Sequence, residues 1–278
     1  MHTPRSPRNL LAALLLGAAA LTAGTAQAAK PLIAGSLTNS PPMIAYASDG
    51  KTLQGVIVDL AAAMSRHLPA PIRFKPEAFP NLFPALQSHQ IDVAFTMMND
   101  TPQREKLVDF VDFFNLGTKL LVRKGNPDRI SGLHSLCGKA VSTIQGSTQQ
   151  ELVAQADQWC EAHHQPKLTN MEFAQPADAR MQVQIGRVAA FLGNSPVMVY
   201  IAKTAGGGKI FDVAGPEYQP VPLGIAVPKD QPALRDELQK ALQAVIDDGT
   251  YLKILRKYGV EGGAVKSATI NAGRNDKA

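Results

Sequence analysis

The stretch GVIVDLAAAMSRHLPAPIRFKPEAFPNLFPALQSHQIDVAF, residues 55–95, changes its hydrophobic period several times. In 56–68 the apolar residues Ile57, Leu60, Ala61, Met64 and Leu68 recur at helical spacing. Residues 72–74 (IRF) then form a short strand signal. Residues 81–90 read as a helix with proline in its first turns, and 91–95 return to an apolar strand run. With LIAGSL (32–37) as a further strand in front, the order is β-α-β-α-β. That order predicts an α/β layer with a mainly parallel sheet.

A second round begins near TKLLVRKG (118–125). Strands are expected at 138–144, 166–170 and 187–192, and helices at 147–164, 178–186 and 195–204. The glycine run Gly206–Gly208 is a turn into a strand ending near 213. One more strand, 222–229, precedes two amphipathic helices in 231–259, broken at Asp248-Gly249. The polar tail after Gly262 is expected to fray.

Residues 1–28 stand apart. Arg5 and Arg8 precede the apolar run LLAALLLGAAAL, and Ala26-Gln27-Ala28 matches a small-residue cleavage pattern. A secretory signal peptide cleaved after Ala28 is the expectation, placing the mature chain in the periplasm. The apolar run is too short to span a bilayer. Without its two arginines the formal charge falls from +5 to +3, and the remaining basic residues form no stripe, which argues against nucleic acid as a partner.

No catalytic signature is present: no H-E-x-x-H, G-x-S-x-G, Walker loop or G-x-G-x-x-G. His89, His134, His163 and His164 lie on polar stretches without ligand partners at metal spacing, so neither metal nor cofactor is expected. One residue stands out. In TPQREKLVDF (101–110), Thr101 suits a helix cap and Pro102 the first helical position, which puts Arg104 beside the end of the apolar run 91–98. A cation does not stabilise a helix N-terminus, so the place of Arg104 raises the question of what it faces. A surface ion pair with Glu105 or Asp109 is the plainer alternative.

Taken in order, PPM, DGKTLQGVIVDLAAAMSRHL, FPNLFPALQSHQIDVAF, DTPQREKLVDFVDFF, LLVRKGNP, LCGKAVSTIQGSTQQ, GRVAAFLGNSPVMVYIAK, LGIAVPKD and LQAVIDDGTYLKIL resemble the solute-binding proteins of ABC importers, in family 3, the polar amino acid group. The resemblance implies the two-lobed periplasmic binding protein fold of type II, with a ligand cleft between hinge-connected lobes. Lobe one would comprise 29–115 and 216–270 and lobe two 119–213, with hinges at 116–118 and 214–215 and a tail at 271–278. It implies a monomer that serves an ABC permease. Arg104 matches the arginine that clamps the ligand carboxylate, and a guanidinium fork suits that task. Thr148 matches a lobe-two donor to the same carboxylate, although Ser147 and Thr148 also read as a helix cap. Phe79 matches an aromatic that covers the ligand.

The departures bear on the ligand. Asn194 stands where the family places an aspartate for the ligand's ammonium, and Leu37 where binders of basic amino acids carry an acid. Val56 and Ile57 replace common aromatic and acidic residues. Met43 replaces an aromatic, Met97 a small residue and Asn99 a serine. Asp59 remains and is expected to cap a helix. The anion clamp is kept and the cation-binding acids are gone, so a cationic side chain on the ligand would lose hydration without gaining a partner. A neutral amino acid or a small organic carboxylate remains. A periplasmic enzyme resembling cyclohexadienyl dehydratases is one rival, lacking an acid or base at these positions; a receptor-docking sensor is the other.

Cys137 and Cys160 are the only cysteines, and an exported chain with one pair oxidises it. The closed loop is local and by loop entropy contributes about 3 kcal/mol. Mass spectrometry of natively exported protein should find the chain lighter than its reduced form by the hydrogens lost. Two free thiols in that sample would refute the pairing.

Overall fold

The computed structural model describes residues 1–3 and 30–275, so the expected signal segment and its cleavage point lie outside the described residues. The strands are β1 (Leu32–Ser36), β2 (Asn39–Ser40), β3 (Ile44–Tyr46), β4 (Leu53–Gln54), β5 (Ile72–Pro76), β6 (Val93–Ala94), β7 (Val108–Arg123), β8 (Ala140–Ile144), β9 (Thr169–Phe173), β10 (Ala190–Asn194), β11 (Phe211–Pro228) and β12 (Thr269–Ile270). The helices are α1 (Val56–Met64), α2 (Leu82–Gln87), α3 (Gln149–Ala162), α4 (Pro176–Gln184), α5 (Ser195–Thr204), α6 (Pro232–Asp247) and α7 (Thr250–Tyr258). The small sheet β2-β3-β4 leads into α1 through Gly55. Gly55 has φ 129°, and a Cβ there would stand 2.5 Å from the Met43 carbonyl oxygen, so no other residue fits this entry.

The main sheet runs β5-β1-β6-β11-β7-β10-β8-β9. β1 pairs in parallel with β5 and β6, and β8 in parallel with β9 and β10. These two parallel units flank the antiparallel pair β7 and β11, which serves both. The result is the two-lobed α/β architecture. The first lobe packs around Phe95, Phe110 and Phe113, with the Phe95 and Phe113 rings edge to face at 5.2 Å. In the second lobe Leu120, Val122, Leu136, Val141, Leu152 and Leu192 form a separate cluster. The expected disulfide joins Cys137 to Cys160.

Four local expectations change. The helix expected over 101–110 shrinks to a single 3₁₀ turn, Arg104–Lys106, because β7 begins at Val108. β7 and β11 are long continuous strands that the sequence divides. Most of β7 is buried, so its apolar residues run on without the alternation that marks one exposed face. Asp59 does not cap α1, whose N-cap is Gly55; it accepts from Lys257 Nζ at 2.7 Å and the Tyr258 hydroxyl at 3.0 Å, tying α1 to α7.

The tail beyond Gly262 does not fray within the described residues, because β12 pairs with β7. Beyond it the chain closes over buried acids. Gly273 N donates to Asp100 Oδ2 at 2.9 Å and Ala272 N to Asp112 Oδ2 at 3.1 Å. Burial pushes the Asp100 carboxyl up to about 8; the Gly273 N–H draws it back, and Asp112 and Glu105 raise it further. Burial likewise lifts Asp112 to about 6 against the pull of the Ala272 N–H and the Thr269 hydroxyl.

Both carboxyls hold protons more tightly folded than unfolded. Their contribution is therefore complete below the ordinary value of 3.8 and is lost as pH rises toward about 8 for Asp100. Asp100→Asn keeps the acceptor for Gly273 and removes the charge. The melting temperature of ligand-free wild type should fall relative to that variant as pH is raised across this window. Parallel profiles would sink the assignment.

Candidate ligand-binding site

Arg104 follows directly from the turn that carries it. Its N–H donates to Thr101 Oγ1 at 3.3 Å, although the residue that caps the short turn is Gln103 and not the threonine. One 3₁₀ turn is too short to direct N–H groups at a ligand, and the side chain carries the electrostatics alone. Its Nη1 donates to the Asn99 carbonyl at 2.8 Å and its Nη2 to the Gly146 carbonyl at 2.9 Å. Asn99 belongs to the first lobe and Gly146 to the second. The guanidinium lies 5.4 Å from the Phe79 ring centre, a cation–π distance.

Arg104 is 9% exposed, a buried cation rather than a surface one. Burial lowers it to about 10, while the more distant charges of Glu151 and Asp100 raise it, so it stays cationic at neutral pH. The surface ion-pair alternative fails for Asp109, which is held by Lys229 Nζ at 2.8 Å and Arg235 Nη1 at 2.9 Å.

The second lobe supplies the facing wall from the start of α3. Thr148 is the N-cap of α3 by position, yet its hydroxyl makes no capping bond. It donates instead to Asn99 Oδ1 at 3.0 Å across the cleft. Gln149 Nε2 donates to Thr118 Oγ1 at 3.0 Å and to Asn194 Oδ1 at 3.1 Å, which fixes the amide at the end of β10. Asn39 Nδ2 reaches Gln175 Oε1 at 3.3 Å, a third direct contact between the lobes.

The cleft holds about 480 Å³ of atom-free space, part of it open to solvent. Leu37, Phe79, Met97, Asn99, Arg104, Ser147, Thr148 and Asn194 line it, as their sequence positions suggest. Met43 does not. It is fully buried in the first lobe, where its carbonyl accepts from Ile57 N at 2.9 Å. Sequence reasoning missed Ser40, Gln149, Phe191 and Met198, which also line the cleft. Gln149 directly follows Thr148, and Ser40 directly precedes the double proline. That adjacency was the available signal.

Three polar groups here have no hydrogen-bond partner although their atoms are buried: Asn99 Nδ2, Ser40 Oγ and Ser147 Oγ. Unpaired buried polar atoms cost stability, and these three sit together in one lined cleft. The only ionisable residue among those lining the cleft is Arg104.

Comparison with known proteins agrees with this geometry. The family model of bacterial extracellular solute-binding proteins, family 3, matches residues 32–261. The chain is 30% identical over 247 residues to the ABC transporter arginine-binding protein 1 of Escherichia coli K12, covering 88% of this chain and 96% of that one. Among solved structures, an ancestral arginine-binding protein bound to arginine matches with a TM-score of 0.75 at 32% identity, over 82% of this chain and 97% of the other. An ancestral amino acid-binding protein, a precursor of cyclohexadienyl dehydratase, matches with a TM-score of 0.72 at 29% identity, over 82% and 94%.

The unpaired hydroxyl of Ser40 yields a direct test. Ser40→Ala removes a buried group that no protein atom satisfies and leaves almost no cavity. Chemical denaturation of the ligand-free protein should show a gain of about 1 kcal/mol. A clear loss of stability would mean that the hydroxyl is structural.

Proposed function

We propose that this chain, which belongs to the bacterial extracellular solute-binding proteins of family 3, captures a neutral amino acid or small organic carboxylate in the periplasm and delivers it to an ABC permease of the inner membrane. It does so as a monomer, after removal of residues 1–28, and without catalysing a reaction. The observation that carries this reading is Arg104: a buried cation at the junction of the lobes whose hydrogen bonds go to two neutral carbonyls. A ligand carboxylate supplies the missing charge and accepts the remaining N–H groups of the fork.

Thr148, Ser147 and Asn99 complete the anion site. Phe79, Met97 and Leu37 cover the body of the ligand, and Asn194 closes the far side. The absence of carboxylates from the lining argues against a second cation on the ligand, so the arginine of the named relatives is not the ligand proposed here. The same lining supports a binding role over a dehydratase role. It offers no carboxylate, histidine or lysine to move a proton.

Lobe boundaries follow the strands that cross. Lobe one takes 29–115 and 216–270, lobe two 119–213, and 271–278 is the tail, of which Asn271, Ala272 and Gly273 bond to lobe one. The hinge at 116–118 is supported by the pairing of Leu116 with Val221 and Thr118 with Tyr218, where the ladder is irregular. The second crossing is therefore drawn out from 214–215 toward 218–221.

A thermal-shift screen tests the ligand class, since a solute that binds only the native state raises its melting temperature. Neutral amino acids and small acids should raise it; lysine, arginine and histidine should give little shift. With the best ligand, small-angle scattering should report a smaller radius of gyration, and Arg104→Ala should lower affinity about a hundredfold. A strong shift with arginine, or full affinity in the alanine variant, would overturn the proposal.

A further inference from the structure

The polar capacity that protein atoms leave open in the cleft divides into two sets. The first surrounds Arg104. The unspent N–H groups of its fork, Asn99 Nδ2 and the Ser147 hydroxyl are free to donate there. Ser147 directly follows Gly146, whose carbonyl accepts from Arg104, which seats it at this end. The second set consists of oxygens. Asn194 Oδ1 accepts from Gln149 and keeps a second lone pair, Gln149 Oε1 accepts nothing among the described residues, and Ser40 Oγ has no partner. A carboxylate answers the first set, and an ammonium with three donors answers the second. The head group of one amino acid therefore uses what the cleft has to offer a polar atom.

The rest of the wall is apolar. Phe191 comes from β10, and Val197 and Met198 from the start of α5, on either side of Asn194 in the chain. Leu37 and Met97 line the same cleft from the first lobe. All five are buried, and they belong to one apolar cluster that continues from the core of the first lobe across the cleft. Met198 lies against Gly193, where a Cβ would stand 2.7 Å from its Cε. Methionine is unbranched and turns about three bonds, so Met97 and Met198 make a wall that reshapes around an apolar group. That wall offers no strong hydrogen bond. An amide or hydroxyl placed against it gives up its hydration without replacement.

We infer that the solute is a neutral amino acid with an apolar side chain, and that Met97, Phe191 and Met198 select it by polarity more than by shape. The inference rests on the carboxylate role given to Arg104 above and narrows the ligand class of that same site. The ligand's charged groups occupy the two polar sets, and its side chain enters between the walls that Leu37 and Met97 form on one lobe and Phe191, Val197 and Met198 on the other.

Isothermal titration of the mature protein, freed of co-purified solute, should compare amino acids matched in shape and different in polarity: valine with threonine, leucine with asparagine, methionine with glutamine. In the pair that binds best, the apolar member should bind at least about tenfold tighter. Met97→Gln, which keeps the length of the side chain, should narrow that preference; an unchanged preference would refute the selecting role of Met97. Equal affinity within the pairs, or tighter binding of the polar members, overturns the inference. The carboxylate reading then still stands if Arg104→Ala lowers the same binding about a hundredfold. Binding of isocaproate or lactate but of none of the six amino acids also overturns the inference and leaves Arg104 its role. If none of these solutes binds, the carboxylate reading falls, and this inference with it.

Discussion

A guanidinium buried between two lobes constrains the rest of this molecule. Taking a cation out of water costs several kcal/mol even after the surroundings relax. Arg104 recovers part of that through two backbone carbonyls, one from each lobe, and through the face of Phe79. Carbonyls satisfy its hydrogen bonds but bring no net charge. The sheet must therefore place Asn99 and Gly146 on opposite sides of one side chain, and the shared pair β7 and β11 links the two lobes through that sheet.

The acids behind the cleft fit the same constraint. Asp100 follows Asn99 directly and its charge acts on Arg104. Were Asp100 ionised at neutral pH, it would partly neutralise the cation from within. Burial instead holds its carboxyl up to about 8, so near pH 7 it is mainly neutral. The closing of the tail over Asp100 and Asp112 is part of this arrangement, since it keeps water from the carboxyls while offering them the N–H groups of Gly273 and Ala272. Stability is given up at these positions, as is common where function needs a charge unpaired.

Much of this was legible in the sequence. The switch of period across 55–95 announced the α/β alternation, and the flanking strands and helices followed by the same rule. Arg104 was legible as an anomaly: a cation beside a capping threonine and an apolar strand, with no local reason to be there. What escaped has a physical pattern. β7 looked like a helix start and a separate strand because burial on both faces erases alternation. The tail looked polar and loose because Asn271 and Gly273 bind through partners more than a hundred residues away. Met43 looked like a cleft residue because the neighbouring PP motif lies near the cleft, yet its side chain turns into the core. Gln149 showed no sign beyond its place next to Thr148, since its two acceptors come from β7 and β10.

Lobe closure is then a balance of small terms. Side-chain contacts join the facing walls, among them Arg104 to Gly146, Thr148 to Asn99, and Asn39 to Gln175. Each is worth about 1 kcal/mol net, and the burial of an unpaired cation opposes them. A carboxylate that meets Arg104 only when the walls come together binds one arrangement and not the other. That differential affinity, and not tight binding as such, is what shifts the population toward closure. A solute without an anion would leave the cation as it is and gain nothing from closing the lobes, so in the proposed reading the residue that selects the ligand also couples its binding to the motion.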